Sequence, residues 1–297
     1  MGTPEFALPT LKKIYRNKFN IKAIFTQKSK RRGRGQKILP SPVQKFAQEH
    51  EIPFYTPSTL KSYDTERLIK SIKADVILVV AFGFLIPSNI LYAKKYGCIN
   101  LHPSALPKFR GASPLQHVIL EGDKYSSICV TKMDEGLDTG PILMQKDFKL
   151  PERPTIKWLH DYCAEEGAKL VVNTLENIDN ITPKDQESNN ISYAQKLSKQ
   201  DALIDWENDA DYIDRKIRAN QMTYKAYFHS NLGDIKIIDA EPVIIEHSSK
   251  AGEILNHKDL LIACKKNAIK LKKIQIPSKK PMTNLDFNNA GYELQII

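Results

Sequence analysis

Apolar residues recur at helical spacing from the first turn of the chain. Phe6, Leu8, Leu11, Ile14 and Tyr15 form one stripe. Thr3, Pro4 and Glu5 ahead of it supply a hydroxyl cap, a proline for the first helical position and an acid near the positive end of the helix dipole. A β-prone run at 21–26 follows, and the pattern then predicts helices over 42–50 and 65–73. DVILVVAFGFLI has no polar alternation and reads as a strand buried on both faces of a parallel sheet. Residues 98–101 predict the next strand, 113–121 a helix and 126–133 a further strand. This alternation predicts an α/β domain with a doubly wound, mainly parallel sheet. In such a domain a strand precedes the first helix, yet here Gly2 and Thr3 already stand at the turn. Either the natural start lies roughly five residues earlier, the usual strand length, with Met1 an internal methionine, or the sheet lacks a strand; the first is the expectation.

From 177 to 200 the sequence turns polar, rich in Asn, Asp, Ser and Lys, and loses apolar periodicity, which reads as a linker. The expected division is an α/β domain at 1–180, a linker at 181–203 and a C-terminal domain at 204–297. A length of 297 residues, more than one core usually holds, agrees with two domains. Beyond the linker a helix is predicted over 210–219 with Ile213 and Ile217 on one face. DIKIIDAEPVII, GEILN and LLIACKKNAIKLKKIQI then give short strands with turns between, the pattern of a small β-barrel or sandwich.

Composition narrows the class. Apolar residues at 41% and charged residues at 26% describe an ordinary globular protein. Cys98, Cys129, Cys163 and Cys264 are widely spaced, so neither a disulfide framework nor a zinc site is indicated. No apolar run reaches membrane-spanning length and the opening residues lack the order of a signal peptide, so a cytoplasmic protein without membrane contact is expected. The net charge of +10 is concentrated. Residues 28–37, KSKRRGRGQK, hold six basic residues and no acid, and 265–280 hold seven lysines and no acid. Either run is a solvated surface or a footprint for a polyanion.

Chemistry concentrates in GCINLHPSALPKFRGASPLQ. Asn100 and His102 stand two apart, so in a strand they share a face, and they lie at the carboxyl end where open α/β sheets bind ligands. A histidine moves protons near neutral pH, and an asparagine amide donates to an oxygen gaining charge. Asp138, in the turn MDEGLDTGPILM after a strand, can project a carboxylate to orient that histidine. The plainer alternatives are a structural histidine and a turn in which Asp134 or Asp138 bonds nearby amides. Neither a phosphate-binding loop, a dinucleotide fingerprint, a nucleophile elbow nor a metal-ligand spacing is present.

MGTPEFALPTL, GRGQK followed by PSPVQ, AFGFLIP, CINLHPSALPKFRGASPLQ, MDEGLDTGPIL and KLSKQDALIDW together closely resemble the methionyl-tRNA formyltransferase family, over nearly the whole chain. The HPS-x-LP core with a later D-x-G is shared by other 10-formyltetrahydrofolate enzymes; the MGTPEFA opening, the RGRG loop, RGASP and KLSKQDA narrow the choice. The resemblance implies a Rossmann-like formyltransferase domain followed by an OB-like tRNA-binding domain. It implies transfer of a formyl group from 10-formyltetrahydrofolate, a cosubstrate, to methionyl initiator tRNA by a monomer that needs no metal. Asn100, His102 and Asp138 match the catalytic positions. Phe82, Gly83, Leu85, His102, Pro103, Ser104, Asp134 and Asp138 fall on the folate side, and Lys30, Arg31, Arg32, Arg34, Lys37 and Arg110 on the tRNA side. The alternatives are another 10-formyltetrahydrofolate-dependent formyltransferase with a small amine acceptor, or an inactive tRNA-binding protein. Two departures stand out: the missing first strand, and IRANQMTYKAYF where the family has an NPWPGA-like segment.

Overall fold

The computed structural model describes residues 1–32 and 37–297, and the chain divides into two compact units. The first comprises Met1–Pro114, Tyr125–Lys149 and His160–Ala194; the second comprises Leu115–Lys124, Leu150–Leu159 and Gln195–Ile297. Among the described residues no helix is long and apolar enough to cross a membrane.

Local chemistry sets the helices in turn. A single 3-10 turn, Glu5–Ala7, leads into Leu8–Arg16 (α1). Thr3, expected to cap this helix, does not: its hydroxyl donates to the Phe82 carbonyl at 3.1 Å and accepts from the Gln27 amide at 3.3 Å, satisfying two distant backbone groups instead of one local one. Serines do cap the next two helices. Ser41 accepts from Gln44 N ahead of Pro42–Glu49 (α2), with Pro42 in the first turn, and Ser62 accepts from Thr65 N ahead of Tyr63–Ser71 (α3). Ser88–Leu91 (α4), Pro114–Glu121 (α5) and Ile156–Glu176 (α6) complete the helices that begin before residue 180. The hydrophobic pattern did not predict α6, whose apolar stripe is diluted by Ala164, Gly167 and Ala168. Those small residues let it lie close on the sheet: a Cβ at Gly167 would come within 2.8 Å of the Leu101 side chain.

The strands of the first unit are, in chain order, Ile24–Phe25 (β1), Lys30–Arg32 (β2), Lys37–Leu39 (β3), Phe54–Tyr55 (β4), Ile77–Val79 (β5), Cys98–His102 (β6), Arg110–Gly111 (β7), Tyr125–Lys132 (β8), Ile142–Lys149 (β9) and Tyr193–Ala194 (β10). The sheet is mixed rather than mainly parallel. β1 runs parallel to β4 and β5 parallel to β6, but β8 lies antiparallel to β6, and β9 antiparallel to β8. A loop as short as 133–141 can return the chain only antiparallel, and apolar patterning carries no strand direction. The long apolar run is a strand only over β5. Ala81 and Gly83, at φ 47° and 80°, then turn the backbone, and Phe82 enters the core beside Phe25, Ile69, Ile90 and Cys98.

Where a first strand was expected, Met1 and Gly2 join β1 to β5. Gly2 N donates to Phe25 O at 3.0 Å, the Met1 amine to Leu78 O at 2.5 Å, and Val80 N to Met1 O at 2.9 Å. Their line continues as an apolar cavity of about 320 Å³ walled by Ile21, Ala23, Ile69, Ile72, Val76 and Leu78 among others. Burial pushes the Met1 amine down to about 6.

In the second unit Ala210–Asn220 (α7) buries Ile213 and Ile217 in a cluster with Trp206, Phe228, Ile235 and Leu271. The strands are Tyr227–Phe228 (β11), Ile235–Val243 (β12), Ile254–Asn256 (β13), Leu261–Ala263 (β14), Ala268–Gln275 (β15) and Met282–Thr283 (β16). They pair antiparallel in the order β11-β12-β15-β14-β13, with β16 also on β15. Thr283 and Asp286 form a reciprocal capping box on Asn284–Asn289 (α8). The atypical IRANQMTYKAYF segment ends α7 and begins β11, burying Ile217, Ala226 and Phe228 while Met222 and Tyr224 stay exposed.

Candidate active site

β6 carries the site because of its parity and its neighbours. Asn100 and His102 project from one face, two residues apart, and are held in register by β8, where Asn100 faces Thr131 and His102 faces Cys129. The turn between β8 and β9 brings the carboxylate. Asp134 shapes that turn by accepting from the Gly136 amide at 3.1 Å and the Thr139 hydroxyl at 2.7 Å. Asp138 follows in the left-handed region at φ 54°.

The three groups meet. Asn100 Nδ2 donates to Asp138 Oδ1 at 3.4 Å, and Asp138 Oδ2 lies 3.7 Å from His102 Nδ1. The same Oδ2 accepts from the Gly111 amide at 2.8 Å. The His102 and Asp138 side chains are 5% and 15% exposed, so little water screens one from the other. His102 Nε2 lies 3.0 Å from the Phe109 carbonyl, an acceptor only, so Nε2 carries a proton in either charge state. Nδ1, the other ring nitrogen, faces the carboxylate.

The remaining expected folate-side residues fall into different settings. Ser104 is fully buried and donates to the Lys108 carbonyl at 2.8 Å, which shapes the loop that carries Phe109. Pro103 is half-buried beside it. The Phe82 ring belongs to the core, and its carbonyl accepts from Thr3 and Gln27. Gly83 takes the left-handed turn after it, and a Cβ there would meet Gln27 Nε2 at 2.6 Å. Leu85 is exposed, as is Leu137 in the Asp138 turn.

The residues expected to face tRNA also divide. Lys30, Arg31 and Arg32 lie on β2 and Lys37 on β3, paired antiparallel with Arg32 opposite Lys37, so these four residues belong to a two-stranded β-ribbon. Arg34 lies outside the described residues. Arg110 is buried, and its guanidinium donates to Gln186 Oε1 from Nε at 3.0 Å and Nη2 at 2.7 Å, a different setting from an exposed phosphate contact. Gln186 itself went unnoticed in the sequence, because a glutamine in a polar segment carries no pattern. Burial pushes the Cys98, Cys129 and Cys264 thiols up to about 12 and that of Cys163 upward as well, so none is a ready nucleophile near neutral pH. Among the described residues no group of three or more His, Cys, Asp or Glu is placed to hold a metal ion.

Residues 1–175 match the formyl transferase family, and residues 196–291 match its C-terminal domain. A methionyl-tRNA formyltransferase of Rickettsia canadensis is 50% identical over 287 residues, 97% of this chain and 94% of that one. The chain belongs to the methionyl-tRNA formyltransferase family. The member from Rickettsia bellii is 46% identical and is matched over 100% of this chain and 97% of its own length. Among solved structures, an N-formyltransferase from Helicobacter canadensis, in complex with folinic acid and dTDP-3-aminofucose, has a TM-score of 0.68 at 20% identity, covering 91% of this chain and 96% of that one. A methionyl-tRNA formyltransferase from Clostridium thermocellum has a TM-score of 0.54 at 23% identity, covering 76% and 92%. At those identities the structural likeness speaks for the formyltransferase fold alone.

Proposed function

We propose that the chain transfers the formyl group of 10-formyltetrahydrofolate to the α-amine of methionine on initiator tRNA, giving formylmethionyl-tRNA for translation initiation. The observation that carries this reading is the meeting of Asn100, His102 and Asp138 at the end of β6, in a chain 46–50% identical to methionyl-tRNA formyltransferases over nearly all its length. As the amine adds to the formyl carbon, negative charge builds on the formyl oxygen. Asn100 has a second N–H on Nδ2 to give that oxygen, and His102 can add a donor there through Nδ1 once it is protonated. Asp138 faces that same ring nitrogen and orients it. One C–N bond forms to the amine and the bond to the folate nitrogen breaks, with one proton crossing from the first nitrogen to the second. His102 Nδ1, backed by Asp138, is the group that holds this proton in between.

The site fits the folate substrate in its chemistry. It offers an amide donor, a titratable imidazole and a carboxylate, with Leu85 and Leu137 as exposed apolar side chains on the adjoining loops for a flat ring to rest on. Residues 1–180 would hold this chemistry, and residues 204–297, read as an OB-like module, would hold tRNA together with Lys30, Arg31, Arg32, Arg34 and Lys37. In this reading the reaction takes place in the cytoplasm between two water-soluble substrates, with the chain acting as a monomer.

The test is direct: purified chain, labelled formyl donor and methionyl initiator tRNA, with a sugar-nucleotide amine as control acceptor. Formylated tRNA is expected, and Asp138→Asn should lower the single-turnover rate by roughly 10²- to 10⁴-fold. A chain that formylates only the sugar amine, or nothing, overturns the reading.

A further inference from the structure

We infer that residues 184–194 form a strap that holds the catalytic carboxylate in position, with Gln186 as its positioning residue; this rests on the formyl-transfer reading above. The Gln186 amide is used in full. Oε1 accepts both Arg110 bonds, while Nε2 donates to the carbonyls of Asp138 and Gly140, each at 2.8 Å. Two donors and two acceptor bonds exhaust what an amide side chain offers. Lys184 and Ile142 exchange backbone bonds at 2.7 and 2.9 Å, which ties the start of the strap to β9 where that strand leaves the Asp138 turn.

The other end grips the opposite wall. Ser192 Oγ accepts from Phe109 N at 2.9 Å, Arg110 N donates to Ser192 O at 2.9 Å, and Ala194 O accepts from Ala112 N at 2.9 Å within the parallel pairing of β7 with β10. These are the residues that complete the site: Phe109 supplies the carbonyl for His102 Nε2, and Gly111 supplies the amide for Asp138 Oδ2. Phe109 and Asp138 both stand in the left-handed region, at φ 63° and 54°, which side-chain-bearing residues hold only where the surroundings determine it. The strap bonds the backbone of each. Arg110, buried and held by Gln186, links the two walls through one side chain.

A glutamate at 186 separates the two halves of this device. It keeps an acceptor for Arg110 but sets a charged oxygen against two carbonyl oxygens. In the full chain, Gln186→Ala and the isosteric Gln186→Glu should each lower kcat for formyl transfer on the order of 10- to 100-fold, with KM for the donor within about threefold. On an Asp138→Asn background, Gln186→Ala should cost less than about threefold further, since both changes act through one carboxylate. Hydrogen exchange at the Gly111 amide should quicken at least about tenfold in both single variants, as its acceptor loosens. Exchange at Gly111 as slow in Gln186→Ala as in the parent, or a Gln186→Glu chain as active as the parent, overturns the strap. If the parent chain itself fails to formylate tRNA, the functional reading falls, and the exchange measurement still decides the strap.

Discussion

Two oxygens of one carboxylate, on Asp138, meet three polar neighbours: the Asn100 amide, the Gly111 backbone N–H and the His102 imidazole. Such shared use demands that the turn present the carboxylate in one place, and Gly140 shows how little room the turn has. A Cβ at Gly140 would stand 1.8 Å from the Lys132 carbonyl oxygen at the end of β8, a backbone atom that cannot swing aside. Gly140→Ala must therefore displace the turn, and a loss of about 3 kcal/mol in folding stability is expected by urea denaturation, the upper end for overpacking. Gly291→Ala is the control. It also adds a methyl, at φ 71° but with no atom within 4 Å, so only the left-handed backbone is disfavoured, and about 1 kcal/mol is expected. Equal urea midpoints for the two variants would remove the steric argument.

At the scale of elements, the cavity beyond Met1 lies between two strand edges. In a strand with parallel partners, alternate residues turn their backbone groups to opposite sides. Ile24 and Thr26 bond across to the β4 side, so Ala23 and Phe25 turn toward the cavity; Ile77 bonds toward β6, so Val76 and Leu78 do the same. A segment such as Gly-Val-Ile-Val-Ile fused ahead of Met1 should add a parallel strand there and raise Tm by several degrees, whereas a Gly-Ser segment of equal length should not. The fused chain also loses a buried amine. With a free Met1 amine, the folded value of about 6 lies below the ordinary 8.0, so the unfolded chain binds more protons between those pH values. Stability should then be greatest above pH 8 and fall by roughly 2–3 kcal/mol toward pH 6, staying low below that. Urea midpoints against pH would show that slope in the free-amine chain and its loss in the fusion. The same elements show what patterning could carry. The shared face of Asn100 and His102 was legible, because a strand has a period of two, and Asp138 was legible as a polar residue in a turn after a strand. The antiparallel course of β8 was not, since polarity is blind to direction. Nor was Gln186, whose bonds reach Arg110 and Asp138 across 76 and 48 residues through polar groups with no periodicity.

For the whole molecule, the net charge of +10 is the property that separates a tRNA substrate from a small amine. Each phosphate neutralised by a protein cation releases a condensed counterion, so log K falls with log salt at about 0.7 to 0.9 per contact. The two basic runs should differ in this respect. In the C-terminal run, Lys270 lies 2.7 Å from Asp259 and Lys272 lies 2.5 Å from Glu241, so part of that charge already has an acid beside it. The run at 28–37 likewise contains no acid within its own sequence, and it is the denser of the two, with six cations in ten residues against seven in sixteen. Replacing Arg31, Arg32 and Arg34 together by glutamine should flatten the salt slope of tRNA binding by about 2 to 3, and replacing Lys270 and Lys272 by about 1 or less. Neither change should alter the KM of the folate donor, whose chemistry is assigned to Asn100, His102 and Asp138. Filter binding of methionyl initiator tRNA across a salt series gives the slopes, and donor kinetics at saturating tRNA give the control. Equal slopes for the arginine variant and the parent, or a donor KM that rises in step with the loss of tRNA affinity, would show that residues 28–37 do not hold the nucleic acid.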